Sequence, residues 1–186
     1  MSRGRQRIEP LPSESPEVLA EAPLAATGAR GTRSVATMLH NQELYRVWRP
    51  LARYLQTEGC LPDRVRELVI LRVAWLGQCD YIWGQHVLAA LRTGWTTSEI
   101  DAIKTGPSAP AWDETEGLLL CASEEFTHRH EISEETWNGL SNIYSDSEMI
   151  ELMMTMGHYL MVGSLFNSIQ LEREAGVPGL NFPASD

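Results

Sequence analysis

Glu67, Cys79 and His86 are the residues whose types and spacing suggest chemistry. They fall within Arg66 to Leu91, RELVILRVAWLGQCDYIWGQHVLAAL. Cys79 opens a predicted helix, where unpaired N–H groups and the helix dipole favour a thiolate. His86 follows seven residues later, two turns down the same face, with Ile82 between them. Glu67 stands on the preceding helix among apolar residues, where a carboxylate needs a partner. Two antiparallel helices joined near Gly77 would bring Glu67 beside His86, and such a pair can move protons near neutral pH.

Each residue also has a purely structural reading. A cysteine is commonly a small core residue. A histidine on an amphipathic helix is often a satisfied, half-buried group. Glu67, within RVRELVILR, could pair with Arg64, Arg66 or Arg72 on a solvated face. Spacing alone leaves these alternatives open.

The elements that must position these residues all read as helices. A first segment runs from about Ser34 to Thr57, with Pro50 expected to break or kink it. Gly59 and Pro62 bracket a turn. Asp63 is the expected N-cap of a helix to about Gly77, and a second helix runs from about Cys79 to Thr93, closed by Gly94. Thr96 with Glu99, and Asp113 with Glu116, form capping boxes for the next two helices, ending near Lys104 and His128. Ser133 starts a short helix. Ser145 with Glu148 starts a long last one, expected to reach about Glu174. No alternating strand pattern and no repeat is present. The fold class is all-α, a single-domain bundle of about six to eight helices.

Residues 1–33, rich in proline, glycine and charge, read as a flexible N-terminal arm. Residues 34–175 read as the helical domain and 176–186 as an extended C-terminal tail, able to pack on a neighbouring subunit through Leu180 and Phe182.

Composition narrows the function classes. The 186 residues are 43% hydrophobic and 22% charged, with a net charge of −10. Such an acidic chain is a poor fit for nucleic acid. No run of about 18 consecutive apolar residues appears, so no membrane partner is expected. Arg3, Arg5 and Arg7 lack the apolar segment of a secretory signal. Three scattered cysteines point to a reducing, cytoplasmic setting.

Three stretches together resemble the carboxymuconolactone decarboxylase and alkylhydroperoxidase-D-like family. They are R-x-R-E-L-x-I-L-R at Arg64 to Arg72, C-x-Y-x-W-x-Q-H at Cys79 to His86, and GWTTSEIDAI at Gly94 to Ile103. The late GHYLMVGSLFNSIQ from Gly157 resembles the family's closing segment, so the likeness covers roughly Ser34 to Pro183. The resemblance implies the helical fold and assembly as a homo-oligomer, commonly a trimer or hexamer. In the alkylhydroperoxidase-D branch, a glutamate stands twelve residues before the first cysteine of C-x-x-C-x-x-x-H. Glu67, Cys79 and His86 keep those places, but the second cysteine is Ile82, so that branch's disulfide cycle has no second thiol here.

The decarboxylase branch implies proton management at a small acid or carbonyl compound. His86 would carry the proton and Glu67 would orient it, with Cys79 as the third catalytic candidate and an enolate-like species to be stabilised. Tyr81, Trp83, Gln85 and His158 are the candidate substrate-binding residues. Tyr81 and Gln85 share a face that lies about 100° round the helix from His86. His158, in an almost wholly apolar helix, is either a buried ring bonded to a nearby oxygen or a wall of the Glu67–His86 pocket. The methionines from Met149 to Met161 read as core or interface. His128, His130 and Glu131 read as a solvated polar turn, so no metal and no cofactor is expected. The leading expectation is a cofactor-free lyase or isomerase, decarboxylating a lactone or keto acid. The alternatives are a peroxidase using Cys79 as a single redox thiol, and a non-catalytic helical binding or scaffold protein.

Overall fold

A computed structural model describes residues 6–29 and 31–182, and among these every regular element is helical. In chain order the α-helices are α1 Pro16–Glu21, α2 Thr32–Met38, α3 Gln42–Arg53, α4 Asp63–Leu76, α5 Asp80–Arg92, α6 Thr97–Thr105, α7 Glu114–Arg129, α8 Glu134–Ser141 and α9 Asp146–Ile169. The all-α expectation holds.

α4 is the axis of the molecule. Its residues Arg66 to Ala74 are all buried. It packs against α5, α6, α7 and α9. An apolar sequence with no single polar face suits a helix surrounded on all sides. Its two buried arginines are both paired through their terminal nitrogens. Arg72 Nη1 donates to the carbonyls of Ile103 at 2.5 Å and Lys104 at 3.0 Å, closing the C-terminal end of α6, and its Nη2 meets Glu124. Arg66 donates to the Leu61 carbonyl at 3.1 Å and pairs with Asp63. Gly106, with φ of 91°, ends α6 where a Cβ would come within 2.5 Å of Arg72 Nη2, so backbone and space both call for glycine.

The expected capping boxes form at Thr96–Glu99, Asp113–Glu116 and Ser145–Glu148, and Ser133 caps α8. Other details differ. Asp63 is the first helical residue of α4 rather than its cap, which is Pro62. Pro50 does not break the first segment, because it lies inside α3. The interruption comes at the 3₁₀ turn Leu39–Asn41, and α3 runs on into a π-turn, Tyr54–Glu58, closed by Gly59 N–H to the Tyr54 carbonyl at 2.9 Å. α9 stops at Ile169, where Gln170 turns left-handed with φ of 54°.

The expected arm, residues 1–33, is not free over its described part; its first five residues lie outside the described residues. α1 and α2 bring Val18, Ala25, Ala36 and Leu39 together with Tyr45 in a second small core beside the main one. Arg7 N–H donates to the Ile169 carbonyl at 2.8 Å. Composition hid this because the few apolar residues meet only after the chain folds back. In the expected tail, Leu180 and Phe182 pack on the chain's own core, and 183–186 lie outside the described residues.

α9 is long and apolar enough to cross a membrane by length and composition, with a mean hydropathy of 1.2 over its best window. Some 56% of that window is buried inside the molecule, as in a core helix. Ile150, Met154, Met161 and Leu165 are exposed on its outer side.

Candidate active site

The α4–α5 hairpin builds the site. Gly77, Gln78 and Cys79 form the connection, with Cys79 N–H donating to the Ala74 carbonyl at 2.8 Å. Glu67 lies ten residues before Gly77 and His86 nine after it. The two therefore stand at comparable levels on antiparallel helices and meet. His86 Nδ1 lies 2.9 Å from Glu67 Oε2, with both side chains largely buried, at 13% and 9% exposed. The solvated-face alternative for Glu67 does not hold. Arg64 pairs with Glu99 and Glu116, Arg66 with Asp63, and Arg72 with Glu124.

This pair lines a cavity of about 490 Å³. α4 and α5 contribute Glu67, Ile70, Ile82, Gln85 and His86. α9 contributes His158, Tyr159 and Phe166, α3 contributes Tyr45 and Trp48, and the N-terminal segment adds Ala22, Ser34 and Val35. Arg49 and Arg92 also line it. Tyr159 stands between two imidazoles. The His86 ring meets it edge-on at 4.9 Å and the His158 ring at 5.2 Å. Burial raises the Tyr159 phenol above its ordinary range, and its oxygen accepts from Gln56 Nε2 at 3.2 Å.

His158 is 5% exposed and its Nδ1 has no hydrogen-bond partner, so it is not the oxygen-bonded core histidine of the alternative reading. It lies on the wall of the Glu67–His86 cavity. Burial first, and the neighbouring His86 second, push its pKa down to about 4.

The remaining expected residues sit elsewhere or are engaged. Cys79 is 1% exposed and does not line the cavity. It caps α5 but is packed beneath α9, where a Cβ on Gly163 would fall 3.8 Å from its sulfur. Trp83 is fully buried against Trp75, ring centroids 5.5 Å apart, away from the cavity. Tyr81 and Gln85 reach the cavity wall, but both polar ends turn to a residue the sequence did not single out, Glu174. Glu174 Oε1 accepts from the Tyr81 hydroxyl at 2.9 Å and Arg33 N–H at 2.9 Å, and Oε2 accepts from Gln85 Nε2 at 2.7 Å. The Tyr81 oxygen accepts in turn from Ser34 N–H at 3.1 Å. Burial and the Glu174 charge raise the Tyr81 phenol. Glu174 lies beyond the end of α9 at Ile169, where the sequence suggested that the helix continues. No three His, Cys, Asp or Glu side chains gather to hold a metal among the described residues.

The same fold occurs in solved structures. An uncharacterised peroxidase-related protein from Silicibacter sp. is similar with a TM-score of 0.74 at 15% identity, over 95% of this chain and 96% of that one. An alkylhydroperoxidase AhpD core, also an uncharacterised peroxidase-related protein, from Ralstonia eutropha gives 0.71 at 16% identity, over 90% and 93%. An Agrobacterium tumefaciens protein of unknown function, provisionally ascribed to AhpD antioxidant defence, gives 0.68 at 20% identity, over 73% and 94%. The class is thus the AhpD-like helical fold. Residues 42–120, which hold Glu67, Cys79 and His86, match the carboxymuconolactone decarboxylase family, in line with the resemblance read from the motifs. A comparison with curated proteins finds no match.

Proposed function

We propose that the chain is a cofactor-free lyase or isomerase of small-molecule metabolism, with decarboxylation of a lactone or keto acid as the specific reaction and His86 as its proton carrier. The observation that carries this reading is the 2.9 Å Glu67–His86 contact on the wall of an aromatic-lined cavity. An ionised carboxylate only accepts, so Glu67 holds the proton on Nδ1. That leaves His86 Nε2 as the nitrogen that takes a proton as base and returns it as acid. Arg49 and Arg92 line the same cavity and suit the carboxylate of an acid substrate. Loss of CO2 would leave an enolate whose carbon His86 then protonates.

The test is CO2 release from a panel of lactones and β-keto acids. His86→Gln is expected to lower turnover by about 10²–10⁴-fold with near-ultraviolet circular dichroism unchanged. Full turnover in that variant overturns the proposal.

A second reading, a single-thiol peroxidase, is supported by the peroxidase-related descriptions of the similar structures. It needs peroxide to reach Cys79, which is 1% exposed. Trapping a sulfenic acid at Cys79 in the folded protein would favour it, and an unreactive Cys79 would exclude it.

A further inference from the structure

Two imidazoles stand edge-on to one tyrosine ring in the same cavity, and their surroundings differ in kind. His86 has a carboxylate at 2.9 Å. His158 has none: it is face-stacked on Trp48, centroids 5.8 Å apart and planes 7° from parallel, and edge-on to Tyr159. One ring faces a charge and the other only aromatic faces, so the two offer a ligand different chemistry. His158 is buried in an apolar helix at a cost that a merely structural position would not need, since phenylalanine would fill the same stack.

We propose that His158 binds the uncharged carbonyl oxygen of a planar ligand in the Glu67–His86 cavity, donating from Nε2 while Trp48 fixes the ring plane. The inference rests on the proposed reading of that cavity as a substrate site and names the group it receives. Nδ1 is sealed from solvent without a partner, so Nε2 is the nitrogen left for a ligand. Free imidazole side chains favour the Nε2–H tautomer, and a partnerless Nδ1 gives no reason to reverse it, so the ring presents a donor. A donor calls for an acceptor on the ligand. A carboxylate is the poorer match, because it would draw a proton onto a ring that burial and the nearby His86 keep neutral. A ketone, ester or lactone carbonyl needs no charge compensation. The flat walls given by Trp48, Tyr159 and Phe166 suit a conjugated ring carrying that carbonyl.

The experiment uses coumarin, a planar uncharged lactone, against benzoate as the charged planar control, with the full chain labelled in its histidine ring nitrogens. At pH 7 the His158 nitrogens are expected to show a neutral ring with the proton on Nε2, and the Nε2 signal to move on adding coumarin. His158→Phe, which keeps the stack and removes the donor, is expected to weaken coumarin about tenfold and leave the Glu67–His86 signals in place. His158→Gln, which restores a donor, is expected to recover part of the affinity. Equal coumarin affinity in His158→Phe, no detectable coumarin binding, or a charged His158 at pH 7 would each overturn the inference. Binding is read without turnover. Loss of activity in His86→Gln with coumarin binding intact therefore supports both proposals, and retained activity there defeats only the proton-carrier reading.

Discussion

His158 sets a pH dependence that can be worked out in sign. Its folded pKa, about 4, lies below the ordinary histidine value of 6.5. The unfolded chain therefore takes up a proton first as pH falls. The stability this neutral ring supplies is complete above about pH 6.5 and is lost as pH drops towards 4, with a slope of up to about 1.4 kcal/mol per pH unit. His158→Phe should flatten that part of the curve, as measured by urea unfolding at pH 7, 6 and 5. His86, Glu67, Tyr159 and Trp48 surround the ring, and the difference between the two proteins isolates its share. Cys79 gives a second test. Iodoacetamide with peptide mapping should modify exposed Cys60 and half-buried Cys121 and spare buried Cys79 until the chain is unfolded. The Glu67–His86 pairing was legible because both ends lie on one hairpin at matched distances from Gly77. The burial of Cys79 was not, because what covers it is α9 at Gly163, more than eighty residues away in sequence.

Helix starts were legible because each is written in a few adjacent residues: Thr96 with Glu99, Asp113 with Glu116, Ser145 with Glu148. The end of α9 was not, since Leu171 to Glu174 continue a plausible helix and only tertiary bonds pull them away. Glu174 makes three of these bonds, holding Tyr81, Gln85 and the start of α2. Glu174→Ala leaves the buried Tyr81 hydroxyl without its acceptor and should cost about 1–3 kcal/mol. The checks are a lower melting temperature and faster proteolysis between residues 170 and 182. Gly84 tests the same seam from the other side. A Cβ there would lie 2.1 Å from the Pro178 carbonyl oxygen. Gly84→Ala on α5 should therefore displace the 177–180 segment or destabilise the fold by about 1–3 kcal/mol, read by denaturant unfolding.

The whole molecule is organised round α4, whose Leu68, Val69, Ile70 and Leu71 are completely buried. Leu68→Ala should cost about 2–5 kcal/mol by equilibrium unfolding, a large part of what a domain of this size has. The N-terminal segment is held differently. Its own core is small, and it meets the main body largely through polar bonds: Arg7 to Ile169 and Ser168, and Arg33 to Glu172 and Glu174. Units joined in that manner open at lower free energy than the centre. Amide protons in α1 and α2 are therefore expected to trade for deuterium well before those of α4. Because this same segment supplies part of the cavity wall, a tightly held guest should splint it to the main body and slow the trade in α1 and α2.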